Sequence, residues 1–119
     1  MVRYIPKPGD VVWLDFDPQK GKEIQKTRPA LTISPQSYNS KTGLGLFMPV
    51  TSKIKGYPFE VSIDKGEIHG AILCDQIRSL DWKVRNAKFV THLSPSIFEE
   101  VLAKFRILLP AYTEMSAVN

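Results

Sequence analysis

The sequence predicts a mainly β domain with short helices, a small and partly open barrel with a C-terminal helix. Three observations point there. Short runs rich in β-branched and aromatic residues recur along the chain. Gly, Pro, Asn and Asp separate them. One amphipathic segment follows the last run.

The first run is Val11-Val12-Trp13-Leu14-Asp15-Phe16-Asp17, ended by Asp17-Pro18. Residues 18–27 are polar, contain Gly21 and form a loop. Arg28-Pro29 opens a second strand, Ala30 to Ser34, because proline is tolerated at a strand's first residue. Pro35 to Asn39 fits one helical turn with Ser34 as cap and Pro35 at its first position. Thr42-Gly43 turns the chain into a third strand, Leu44 to Val50, continuing to Thr51.

Ser52 to Pro58 is a basic loop. Phe59 to Ile63 alternates apolar and polar residues, as a half-buried strand does. After a turn region over 64–70 comes a buried-looking strand, Ala71 to Cys74. Gln76 to Trp82 extends or bends it, and Ala87 to Leu93 is a last short strand. Ser94 then caps a helix with Pro95 at its first position, Glu99 and Glu100 early in it, and a Leu93–Phe98 staple. Phe98, Val101, Leu102, Phe105, Leu108 and Leu109 form its apolar stripe, which packs on the sheet or on a partner chain.

A chain of 119 residues is one domain, long enough to bury roughly two-thirds of its unfolded surface without staples. With 43% hydrophobic and 24% charged residues it has the composition of a soluble globular protein. Cys74 is the sole cysteine, which excludes an internal disulfide and a multi-thiolate zinc site. The opening MVRYIPKPGD has no apolar core of a signal peptide, and no segment is apolar enough to span a bilayer, so the cytoplasm is the expected compartment. A net charge of +4 favours an anionic partner, but the placement of charge decides more than its total.

Familiar catalytic signatures are missing. The chain has no H-E-x-x-H, no Cys/His cluster, no nucleophile elbow and no Gly-rich phosphate loop between strand and helix. His69 and His92 are far apart in sequence and are expected to be ordinary surface or half-buried residues. Cys74 sits in an apolar run and is expected to be a buried small hydrophobe.

The loop from Lys20 to Arg28 carries Lys20, Lys22, Lys26 and Arg28 around the single acid Glu23, a plausible phosphate-binding edge. Arg28 stands beside the stiff Pro29 at a loop-to-strand junction, a good support for a reactive group. Thr51 ends another strand and is followed by Ser52, Lys53 and Lys55, hydroxyls and ammonium groups suited to phosphate oxygens. Tyr57 and Phe16 are the aromatic candidates for stacking a base. By composition alone these segments are equally ordinary solvated loops.

Taken in order, the motifs say more. Gly9-Asp10, Asp15-Phe16-Asp17-Pro18, Gly21-x-Glu23, Arg28-Pro29-Ala30, Tyr38-Asn39, Pro49-x-Thr51, Lys55-Gly56-Tyr57-Pro58-Phe59-Glu60 and Asp75-Gln76 run through nearly the whole chain. Together they resemble the MazF/PemK family of bacterial toxin endoribonucleases. The resemblance covers residues 1–109 as one domain and leaves 110–119 as a tail expected to be flexible.

It implies an SH3-like antiparallel barrel, a homodimer, and cleavage of single-stranded RNA at a short sequence without a metal or other cofactor. It also implies a cognate acidic, MazE-like antitoxin that occupies the RNA groove. It assigns catalysis to Arg28, Thr51 and Glu23, and RNA contacts to Lys20, Lys22, Lys26, Asn39, Ser52, Lys55, Gln76 and Arg78. Two other functions fit the same fold: a non-enzymatic, CcdB-like toxin that poisons gyrase, and an SH3-like module that binds a peptide. The Glu23 and Arg28 loop argues against the first, and the basic loops fit the second less well.

Overall fold

A computed structural model describes residues 3–15 and 27–117. Lys20, Lys22, Glu23, Lys26 and Phe16 lie outside the described residues. The elements run β1 (Asp10–Asp15), β2 (Thr27–Thr32), α1 (Gln36–Thr42), β3 (Leu44–Thr51), β4 (Glu60–Lys65), β5 (Ile68–Leu73), β6 (Arg78–Asp81), β7 (Lys88–His92), α2 (Pro95–Arg106) and α3 (Tyr112–Ala117). The strands form one curled antiparallel sheet in the order β4-β5-β3-β2-β1-β7, with β6 also paired to β3. This is the expected mainly β, partly open architecture. Among the described residues no helix is long and apolar enough to cross a membrane.

Strand β1 is buried on both faces, which explains its imperfect alternation. Val11 belongs to the larger core with Leu31, Met48, Val50 and Ile72. Its neighbours Val12 and Leu14 belong to a smaller core with Ala30, Phe47 and Trp82. A strand covered on both sides has no polar face to alternate with. Helix α2 closes the larger core with Val101, Ile97, Phe98 and Phe105. Tyr4, Ile5, Leu80 and Ala87 pack on the smaller one.

Local chemistry fixes the element ends, and several expectations change. Helix α1 begins one residue later than predicted, with Pro35 as N-cap and no side-chain cap. The Ser34 hydroxyl does other work: it donates to Asn39 Oδ1 (2.5 Å) and accepts from the Leu46 amide (2.8 Å). Gly43 ends α1 in the left-handed region, as the turn signal implied. Ser94 does cap α2, accepting from the Ile97 amide at 3.4 Å. Glu99 and Glu100 fall beyond its first turn, and Glu99 instead faces Arg106 at 3.7 Å. The helix stops at Arg106, so Leu108 and Leu109 are exposed and not part of a packed stripe. The tail holds the short helix α3.

Asn39 changes role altogether. It was assigned to RNA, yet it is fully buried. Its amide nitrogen donates to the carbonyls of Pro6 (2.9 Å) and Ser34 (3.1 Å), and its oxygen accepts from Ser34. Its backbone carbonyl accepts from Trp82 Nε1 (3.1 Å). A side chain with its polar atoms spent inside the protein cannot reach a ligand. Tyr38-Asn39 therefore locks α1 to the N-terminal segment.

A second lock sits at Asp10, also buried. It accepts from the Tyr4 hydroxyl (2.6 Å), the Lys7 amide (3.2 Å) and His92 Nδ1 (2.8 Å). Burial and this bond push the Tyr4 hydroxyl well above the ordinary phenol range. His92 is thus structural. Cys74 is buried as expected, and burial pushes its thiol up to about 11.

Asn39→Ala leaves the Ser34 hydroxyl and two carbonyls without their interior partner. We expect a loss of about 2–3 kcal/mol in urea unfolding. A loss below about 0.5 kcal/mol contradicts the structural role.

Candidate active site

Strand β3 changes partners along its length. It pairs with β2 through Phe47, Met48 and Pro49, then with β5 through Val50 and Thr51. Pairing with β2 stops at Ala30 opposite Pro49, although β2 runs back to Thr27. Arg28 and Thr51 therefore stand at the place where the two strands part. Arg28 is still held by the other neighbour of β2, opposite Leu14 in β1.

The strands part over two hollows, and both are lined by Arg28, Pro29, Val50 and Thr51. The first has a volume of about 510 Å³ and is walled further by Trp13, Ser52, Lys53, Glu67 and His69. The second, about 200 Å³, opens onto the smaller core through Leu14, Ala30 and Phe47 and is rimmed by Gln76, Arg78 and Arg85. A third depression continues from Thr51 past Lys53, Lys55, Tyr57 and Gln76. Thr51 is common to all three, so they form one trough around it.

A glycine makes the partner change possible. A Cβ on Gly70 of β5 would lie 2.1 Å from the Thr51 carbonyl oxygen. Only a residue without a side chain lets β5 come this close to the end of β3. Thr51 is also oriented locally. Its Oγ1 accepts from the Lys53 amide (3.1 Å), which leaves the hydroxyl hydrogen to donate outward.

The Lys55 to Glu60 motif is largely loop construction. Glu60 accepts from the amides of Lys55 (3.2 Å) and Gly56 (3.0 Å), and Gly56 takes the left-handed conformation. Lys104 of α2 donates to the carbonyls of Pro58 and Glu60, both at 2.9 Å. Tyr57 packs on Phe59 with ring centroids 5.8 Å apart, and its hydroxyl donates to Asp75 (2.6 Å). That bond pushes the Tyr57 hydroxyl above its ordinary value. Tyr57 thereby presents an exposed ring, held at its edge, along the trough.

The charges of the trough are unbalanced toward positive. Arg28, Lys53, Lys55, Arg78 and Arg85 line it. Of its acids, Glu60 is engaged by backbone amides and Glu67 accepts from Trp13 Nε1 (3.1 Å). Such a surface suits a polyanion with exposed bases. Among the described residues, no group of three or more His, Cys, Asp or Glu could hold a metal ion.

Of the assigned residues that are described, Arg28, Thr51, Ser52, Lys55, Gln76 and Arg78 meet in this trough. Asn39 does not. Trp13, Glu67, His69 and Arg85 also line it, brought there by pairing across the sheet that no local motif signals. Arg85 reaches the trough because Nη1 donates to the Asp15 carbonyl (3.2 Å) across 70 positions of sequence.

Comparison with known proteins agrees with this geometry. Residues 7–109 match the model of the PemK-like, MazF-like toxins of type II toxin-antitoxin systems. The endoribonuclease toxin MazF of Escherichia coli K12 is 43% identical over 107 residues, covering 90% of this chain and 96% of that protein. Endoribonuclease PemK of Escherichia coli is 35% identical over 106 residues, covering 85% of this chain and 80% of that protein. The crystal structure of a MazE-MazF complex from Deinococcus radiodurans superimposes with a TM-score of 0.80 at 42% identity, covering 90% of this chain and 97% of that one.

Gly70→Ala forces β3 and β5 apart at Thr51. We expect it to cost roughly 1–3 kcal/mol in urea unfolding. Ser62→Ala, exposed on β4, should stay within about 0.5 kcal/mol of the parent. Equal stabilities for the two variants would contradict the close approach.

Proposed function

The chain belongs to the PemK-like, MazF-like family of type II toxins, and on that footing we propose that it is an endoribonuclease that cuts single-stranded messenger RNA at a short sequence and so halts translation. One observation carries the proposal beyond family membership. Arg28 and Thr51, from different strands, line the same two hollows of a positively charged trough.

RNA supplies its own nucleophile, the 2′-hydroxyl beside the scissile phosphate. A base removes its proton, the 2′-oxygen attacks phosphorus, and the 5′-oxygen leaves with a proton. The products are a 2′,3′-cyclic phosphate and a 5′-hydroxyl. Arg28 clamps the phosphate and offsets the charge that develops on its oxygens. Thr51 donates its hydroxyl hydrogen to a phosphate oxygen, since its lone pair already serves the Lys53 amide. Glu23, outside the described residues, is the candidate base, and a pKa raised toward neutrality would suit that role. A guanidinium suits clamping a phosphate better than taking a proton as a base. None of these steps requires a metal.

Ser52, Lys53, Lys55, Gln76 and Arg78 would hold the flanking nucleotides, with Tyr57 offering a face for stacking. Lys20, Lys22 and Lys26 would add steering charge. The same trough suits the acidic segment of a MazE-like antitoxin, and the similar Deinococcus radiodurans protein has been solved as a MazE-MazF complex. The working form is a homodimer in the cytoplasm, where mRNA and antitoxin are met. A gyrase-binding toxin or a peptide-binding module has no need of an arginine and a hydroxyl converging in a basic hollow.

Arg28 is exposed at a strand end, so Arg28→Ala should keep the circular dichroism spectrum of the parent. It should slow RNA cleavage at least about 10²-fold. A 2′-deoxy residue at the cut site should bind and resist cutting. Near-parental cleavage by the variant, or cutting of the deoxy substrate, would remove the basis of the mechanism.

A further inference from the structure

The mechanism above leaves one proton without a donor, the one that must reach the departing 5′-oxygen. We propose that His69 supplies it, with Asp64 as its positioning residue. The proposal rests on the endoribonuclease assignment and adds a catalytic residue to it.

His69 lies on β5, two residues from Ala71, which pairs with Thr51. Alternation along a strand puts His69 and Ala71 on the same face, and register partners share a face. His69 is therefore a diagonal neighbour of Thr51, at a Cβ separation of about 7 Å that a long side chain bridges. The same hollow that Arg28 and Thr51 line is walled by His69.

The ring is also held in one orientation. Asp64 is the register partner of His69 on β4, and its carboxylate bonds His69 Nδ1. Among the described residues Nε2 has no hydrogen-bond partner. Nδ1–H held by a carboxylate, with Nε2 on the opposite edge of the ring, is the arrangement a histidine needs to exchange a proton with substrate. His92 offers a contrast: its Nδ1 also meets a carboxylate, that of Asp10, but it lies among Arg3, Tyr4 and Phe89, away from Arg28 and Thr51.

The other groups facing the hollow suit this role less well. Glu67 is engaged as an acceptor by Trp13 Nε1. Lys53 and Arg28 also face the hollow, where ammonium and guanidinium groups serve as cations for phosphate oxygens. Histidine is the residue type that ordinarily titrates between pH 5 and 8. In the step, the 2′-oxygen–phosphorus bond forms and the phosphorus–5′-oxygen bond breaks. The 2′ proton passes to the base, and the Nε2 proton of the imidazolium passes to the 5′-oxygen.

The test compares two RNAs that share one cut site, one with the natural 5′-oxygen and one with a bridging 5′-sulfur, whose thiolate leaves without a proton. His69 is exposed, so His69→Gln should fold as the parent does. It should slow cleavage of the oxygen substrate about 10²- to 10³-fold and leave the sulfur substrate near the parental rate. Asp64→Asn should give a smaller loss on the oxygen substrate and leave the sulfur substrate near the parental rate. Parental rates in His69→Gln, or equal slowing of both substrates, would overturn the proposal and leave the endoribonuclease assignment standing. A parent protein that cuts neither RNA would overturn both.

Discussion

Everything in this molecule depends on one strand that serves three partners. β3 pairs with β6 through its first half, with β2 through its middle and with β5 at its end. A slip in an edge strand such as β4 disturbs one partner and one core. β3 cannot, because a one-residue slip would turn Phe47 and Met48 out of two different cores at once. The trough forms where the strand lets go of β2 and meets β5, so its geometry is fixed by the same contacts that fix the fold. Gly70 shows how tight that junction is: a single added carbon would meet the backbone of Thr51.

Strong positional control suits a mechanism in which the protein supplies little covalent chemistry of its own. The substrate carries the nucleophile, so the enzyme's task is to place donors around a phosphate. In the proposed mechanism rigid strands supply Arg28, Thr51 and His69, and loops supply Lys53 and Lys55 beside them. Asp64 on His69 and the Lys53 amide on Thr51 are supports for those groups, and Glu60 is a support for the loop between them. Much of the polar sequence therefore builds the platform, and a smaller part faces the ligand.

How much of this could be read from the chain depends on the range of each interaction. Gly43 and the Ser94-Pro95 start were legible because their causes are local. The ordered motifs single out Arg28 and Thr51, and the register of β2 and β3 brings the two together. His69 and Arg85 were not, because only pairing across the sheet brings them to the trough. Asn39 was misassigned for a related reason. A motif marks a residue as important without saying whether it touches a ligand, and burial decided that it does not. Both faces of β1 are covered by partners distant in sequence, which is why its alternation looked poor.

If this trough cuts RNA, the RNA's own 2′-hydroxyl is the nucleophile and the cut falls at a short recognised sequence. The most direct measurement is to digest a long RNA of known sequence, map every new 5′ end and identify the chemistry of both termini. Cuts are expected at one recurring short sequence, with 5′-hydroxyl and 2′,3′-cyclic phosphate ends, and far fewer with Arg28→Ala. Fragments bearing 5′-phosphates, or an intact RNA after prolonged incubation with the parent protein, would contradict it.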